Sequence, residues 1–128
     1  MRSFTSTILA LLLATAITAP GPALALDSLW NSAIDAPDDQ LPEICRQIIA
    51  HQNDSKLEAL EASMLLFEGR LNKGGPCVEK DYVRSFELMQ ISGNRDGYSI
   101  NLKILRQRAA AGEKLAIAAL PLIPKWKD

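Results

Sequence analysis

The sequence predicts an all-α protein: a short stack of antiparallel helix hairpins, about five helices in all. Three observations carry that expectation. Apolar residues recur at steps of three and four along most of the chain, and no stretch reads as a strand. Leu66 to Leu88 reads as an apolar helix end, a Gly74-Gly75-Pro76-Cys77 loop and a fresh helix opening near Asp81. Ser55-Lys56-Leu57-Glu58 fits a capping box, in which serine and glutamate satisfy open amides of a first helical turn.

The N-terminus reads as an address. Arg2 precedes an unbroken run of apolar and threonine residues from Ile8 to Ala19. Pro20-Gly21-Pro22 stops any helix, and Ala23-Leu24-Ala25 has the small-x-small pattern of a signal-peptidase site. The run falls short of the roughly 20 residues a spanning helix needs, and no later segment reaches that length. The expectation is a secretory signal over 1–25, cleaved after Ala25, with no stable membrane insertion afterwards. An uncleaved anchor is the alternative. An acidic N-terminal lead-in over 26–40 and one helical domain over 41–128 follow.

The lead-in carries Asp35, Pro37, Asp38 and Asp39, with one brief helical turn around Leu29 to Ile34. It lacks the glycine and spaced ligands of a calcium loop, so it reads as solvated. Pro42 suits a helix first turn, and Ile44, Cys45, Ile48 and Ile49 form an apolar stripe ending near His51 to Asp54. In the second helix Leu57, Leu60, Met64, Phe67 and Leu71 predict one buried face, with Glu58, Glu61 and Glu68 mostly off it. Gly69 lies near its end, and the loop glycines allow positive φ and close backbone approach. They match no phosphate-binding glycine motif.

A third helix is expected from about Lys80 to Ser92, with Tyr82, Phe86 and Met89 on one side and Ser85 as a small packing residue. Ser92 to Gly97 is a turn by composition, and a fourth helix spans Tyr98 to Ala110. Gly112 breaks it. A short alanine-rich fifth helix runs from Glu113 to Leu120 and ends at Pro121. The tail is apolar for a terminus, so Trp126 either caps the last helix or forms an exposed docking strip; Trp30 admits the same two readings.

Cys45 and Cys77 are the only cysteines, and an even count in an exported chain favours a disulfide. No Cys-x-x-Cys motif is present, and the sole histidine, His51, lies six positions after Cys45, on a different side of a helix. One histidine with two cysteines offers no recognised metal spacing, so neither metal nor cofactor is expected. Removing residues 1–25 takes away only Arg2 among charged residues, leaving 13 Lys and Arg against 15 Asp and Glu. That balance gives no basis for nucleic-acid binding. Lys103, Arg106 and Arg108 read as a solvated surface.

The succession Leu66, Gly69, Gly74-Gly75, Val78, Asp81-Tyr82, Phe86, a glycine-containing turn and Leu102 resembles the Sel-one-like repeat. That family is related to the tetratricopeptide repeats, with two-helix units of roughly 35 to 45 residues. Ala109-Ala110-Ala111-Gly112-Glu113 is similar to the alanine-glycine turn between successive units. One full unit is covered, from about Leu57 to Gly93, with partial units on both sides. Ser85 and Ser92 replace the usual alanine, and Asn94 to Gly97 lengthens the turn. The resemblance implies a short α/α stack that holds another protein.

Three functional classes follow. The leading one is a periplasmic or secreted, non-enzymatic adaptor, its partner, binding face and oligomeric state left open. The alternative is a small periplasmic stress or chaperone-like protein binding many unfolded clients. An enzyme would need paired carboxylates held in contrasting environments, and Glu58 with Glu61 or Glu79 with Asp81 read as capping and surface residues instead.

Overall fold

The structure, a computed structural model, describes residues 29–71 and 74–128; the expected signal peptide lies outside them. Residues 29–35 form α1. Then come a 3-10 turn at Asp38–Gln40, α2 at Leu41–Ala50, α3 at Lys56–Glu68, α4 at Tyr82–Ser92, α5 at Arg95–Ala110 and α6 at Lys114–Ala119. A second 3-10 turn, Leu120–Leu122, leads into the tail. Among the described residues there is no strand, and the helices pack mainly against their neighbours in the chain, as in a hairpin stack.

Side-chain caps set several boundaries. Ser55 accepts from the Glu58 amide and Asp81 from the Arg84 amide, each opening a helix where the sequence places one. The fourth helix departs from expectation. Asn94 caps it by accepting from the Gly97 amide at 3.0 Å, so α5 starts at Arg95 and the expected turn shrinks to the residues around Gly93. Its composition is that of a turn, but a left-handed Gly93 followed by an Asx cap uses those residues to begin a helix.

The α3–α4 hairpin is the centre of the molecule. Ala59, Ala62, Ser63 and Ser85 are fully buried between helices, and the Ser85 hydroxyl donates to the Ser63 carbonyl at 2.6 Å. A first core joins Leu41, Cys45 and Ile48 of α2 to Leu65, Leu66 and Leu88. A second joins Phe67, Tyr82, Phe86 and Met89 to Tyr98, Leu105, Ala116 and Ala119.

Because α3 separates the two cores, its buried surface wraps much of its circumference. This corrects the single face read from the sequence: Leu57 and Met64 are 45% and 39% exposed, whereas Glu58 and Glu61 are 6% and 8% exposed. A helix with partners on several sides loses the one-sided pattern that marks a surface helix. The lead-in is also less solvated than its composition predicts, since Ala33 and Ala36 are buried in the first core with Leu29 and Trp30 against it.

The connection over residues 69–81 is long for a hairpin and is tied at several points. The Gly69 carbonyl accepts from the Cys77 and Val78 amides, and Asp81 N–H donates to the Leu66 carbonyl. Cys45 and Cys77 form a disulfide that ties this loop to α2, with Cα atoms 6.2 Å apart. Gly69 has φ 75°, and an added Cβ would meet the Val78 carbonyl at 2.9 Å. Gly74 has φ 80° and lies against Leu41, but at Gly75 an added Cβ meets nothing within 4 Å. The close-approach argument therefore holds for the first glycine of the pair only.

The tail folds back as a cap. Tyr98 donates its hydroxyl to the Pro124 carbonyl at 2.6 Å, and Gln90 exchanges hydrogen bonds with the Lys125 carbonyl and Lys127 amide. Trp126 packs edge-on to Tyr98 at 5.5 Å between ring centres. In a Trp30→Phe background, Trp126 should emit at blue-shifted wavelength. Trp126→Ala should destabilise by about 1–3 kcal/mol, from lost apolar burial and one aromatic pair, measured by thermal or urea melts.

Candidate functional site

The loop after Gly69 and the start of α6 face each other across a cleft of about 530 Å³, lined by Glu68, Gly69, Pro76, Val78, Glu79, Lys80 and Leu115. A smaller hollow of about 170 Å³ adjoins it, sharing Lys80 and Leu115 and reaching Val83 and Leu122. Leu115 is 44% exposed and Leu122 65% exposed. Two local features place these walls. The left-handed Gly69 turns the chain so that residues 76–80 run back past the end of α3. Gly112, at φ 95°, reverses the chain after α5 and delivers α6 opposite.

Beneath the cleft a polar network joins four helices. Tyr82 donates its hydroxyl to Glu113, whose two oxygens lie at 2.8 and 3.0 Å, and Lys80 Nζ donates to Glu113 Oε2 at 3.2 Å. Arg108 donates to the Tyr82 oxygen at 3.1 Å and to both Glu68 oxygens at 3.0 Å, while its guanidinium lies 4.9 Å from the Phe67 ring centre. The Glu68 carboxylate is the main reason the Arg108 pKa is raised; partial burial opposes it, and the Tyr82 contact adds to the rise. For Glu113 partial burial is the largest influence and pushes the pKa upward. The hydrogen bonds from Tyr82 and Lys80, with the Lys80 and Arg108 charges, together outweigh it and hold the carboxyl below its ordinary value.

The sign of the pH effect follows. A carboxyl whose pKa falls on folding contributes stability that is fully present above its ordinary value of 4.5 and is lost as pH drops through the lower folded value. Glu113→Gln should therefore destabilise the protein at pH 7. The gap to the wild type should narrow below about pH 4.5, as urea melts across pH would show.

Every member of this network is engaged by another, so the arrangement holds α6 against α4 and α5. Of the residues singled out by the resemblance, Leu66, Tyr82 and Phe86 are buried packing groups, Gly69 and Gly74 are backbone hinges, and Asp81 is a cap. Among them Gly69 and Val78 line the cleft. Gly75 and Trp30 lie elsewhere, Trp30 beside a separate hollow with Met64 and Leu71.

Arg108 is half-buried in the network, which corrects its reading as solvated surface. Lys80, Glu113 and Glu68 were not marked by any spacing, since 26 to 40 residues separate network partners. A separate grouping of donors, His51, Asp54 and Glu58, could hold a cation. In sequence His51 stands out only beside the cysteines, because a turn separates it and Asp54 from Glu58 on α3.

Comparison of the chain with protein-family models, curated proteins and solved structures finds no match. The likeness to Sel-one-like repeats therefore rests on the residues of the central hairpin. No helix among the described residues is long and apolar enough to cross a membrane.

Proposed function

We propose that this chain is an exported, non-enzymatic protein-binding module of the Sel-one-like, tetratricopeptide-related type, which uses the cleft between residues 76–80 and α6 to take an apolar segment of another protein. The observation that carries this reading is the cleft itself. It is concave, it is walled by Pro76, Val78 and the half-exposed Leu115, and its size falls within the range of small binding sites. Exposed Leu122 extends the apolar surface to one side. Glu68, Glu79 and Lys80 share the lining, supplying polar groups beside the apolar ones as protein interfaces do.

Export is supported by the Cys45–Cys77 disulfide, which an oxidising compartment sustains, and by the leader-like sequence before Leu26. An adaptor of this kind neither needs nor uses a reactive centre, in keeping with a polar network spent on holding helices together.

The experiment is a comparison of three proteins. Leu115→Asp introduces a charge into the cleft at a side chain that contributes little to the core. Ile100→Asp does the same at a 60% exposed position on α5, far from the cleft in the chain. The expected outcome is that both variants melt within about 0.5 kcal/mol of the wild type. Co-purification of the partner from producing cells should fall at least about tenfold in Leu115→Asp only. Equal capture by all three proteins removes the cleft from the account. Recovery of a broad set of unfolded clients would support the chaperone-like alternative.

A further inference from the structure

The corner between α2 and α3 holds groups that the hairpin account does not use. His51 and Asp54 lie on the turn after α2, and Glu58 lies in the first turn of α3. One donor atom from each, an imidazole nitrogen and two carboxylate oxygens, falls within 4.8 Å of the other two. His51 Nδ1 and Asp54 Oδ2 are 2.6 Å apart.

Glu58 is the informative member. The sequence predicts that its carboxylate returns to the Ser55 amide and completes a capping box. Only half of that box forms: Ser55 Oγ accepts from the Glu58 amide at 3.2 Å, and the Glu58 carboxylate makes no hydrogen bond or ion pair among the described residues. Glu58 is 6% exposed, and its Oε2 is buried without any partner. A buried carboxylate oxygen left unpaired is costly, and it seldom persists unless it meets an ion, a water or a ligand. The positive end of α3 eases part of that cost, but the first-turn dipole supplies only about 0.3–1 kcal/mol.

We propose that His51, Asp54 and Glu58 form a three-ligand site for a divalent transition-metal ion of the zinc class. An imidazole with two carboxylates is a borderline donor set, which suits zinc better than the all-oxygen shells of calcium or magnesium. Two carboxylates balance the charge of the ion. Ligand atoms around a tetrahedral zinc, at about 2.0–2.2 Å from it, lie about 3.4 Å apart. The present 2.6 Å pair must open slightly, and the widest gap must close by no more than about 1.4 Å. His51 and Asp54 are half-exposed and can turn to do this, whereas Glu58 is fixed in its helix.

The turn itself is already held. Arg84 of α4 donates through Nε to Gln52 Oε1 at 2.8 Å and through Nη2 to Asn53 Oδ1 at 3.0 Å. The backbone carrying two ligands is thereby clamped to α4, so binding costs only rotamer changes. The ion would staple α2 to α3 and leave its fourth position toward solvent, open to water or to a carboxylate of another molecule.

The test uses the oxidised chain without an affinity tag, stripped with chelator, titrated with zinc against a chromophoric chelator. His51 is the only histidine, so its imidazole resonances report the ligand directly. One zinc should bind per chain with a shift of those resonances, and Glu58→Gln, Asp54→Asn and His51→Gln should each weaken binding at least about tenfold. Metal-free Glu58→Gln should melt at or above the wild type, because it removes a buried unpaired charge. Asp54→Asn, at an exposed position, keeps the test valid if Glu58→Gln fails to fold. No uptake at micromolar zinc overturns the site, as does uptake unchanged by these substitutions or calcium binding as tight as zinc.

Discussion

Replacing both Cys45 and Cys77 with alanine should lower the melting temperature more than any substitution of an exposed residue. The bond closes a loop of 32 residues in sequence separation, which removes about 3–4 kcal/mol of unfolded-state freedom. For a domain of this size each kcal/mol moves the melt by about 4–8 °C, so the drop should be roughly 12–30 °C. The loss is a large share of the 5–15 kcal/mol, roughly, that holds an ordinary domain together. The bond also carries a structural task. It pins the long connection of the central hairpin to α2 at Cys77, and the neighbouring Pro76, Val78, Glu79 and Lys80 form one wall of the cleft. The double variant should therefore lose partner binding at temperatures where its helices persist. Circular dichroism and binding, followed together on one temperature ramp, would separate the two losses.

Phe86→Ala should be comparably severe. The side chain is fully buried, with edge-to-face contacts to Phe67 and Tyr98 at 6.0 and 5.2 Å between ring centres. Those rings extend the series to Tyr82 on one side and Trp126 on the other. Truncation leaves a cavity at the junction of α3, α4 and α5, where rigid rings and two serines at the helix crossing leave little room to collapse. Loss of a buried phenylalanine costs about 3–5 kcal/mol, and chemical denaturation would measure it directly. Phe86→Leu, which retains much of the volume, should recover more than half of that loss. A small effect for Phe86→Ala would mean that the second core is loosely packed and that α6 is held by its polar network alone.

The parts of the fold legible in the sequence were those written in local chemistry. Ser55 and Asp81 mark helix starts because a short polar side chain can take a free amide three residues on, and both do so. The Cys45–Cys77 pair followed from having two cysteines and no competing motif. Tyr82, Phe86 and Met89 lie on one buried side of α4, as their spacing predicts. Where the fold depends on distant partners, spacing misleads. Helix α3 is covered on several sides, so the stripe of large apolar residues did not define its buried surface, and Glu58 and Glu61 were placed on the wrong side of the reading.

The candidate site was hardly legible. Val78 was marked for its place in a repeat pattern, yet it matters to the cleft because Gly69 turns its backbone there. Leu115 and Lys80 meet only through the long-range contact of α6 with the hairpin loop. No periodicity within either segment could show that. The grouping of His51, Asp54 and Glu58 straddles a helix break, so the angular bookkeeping that works inside one helix does not bring its members together.

The most direct test of the central claim is site-specific photocrosslinking in producing cells, with the reactive amino acid placed at Leu115 and, as a control, at Ile100. The account predicts that Leu115 captures one or two envelope proteins, reproducibly and near stoichiometry, and that Ile100 captures neither. The captured protein should then bind the purified chain saturably and lose that affinity with Leu115→Asp. Identical capture from both positions, or none from Leu115 while the chain is folded and exported, would contradict it.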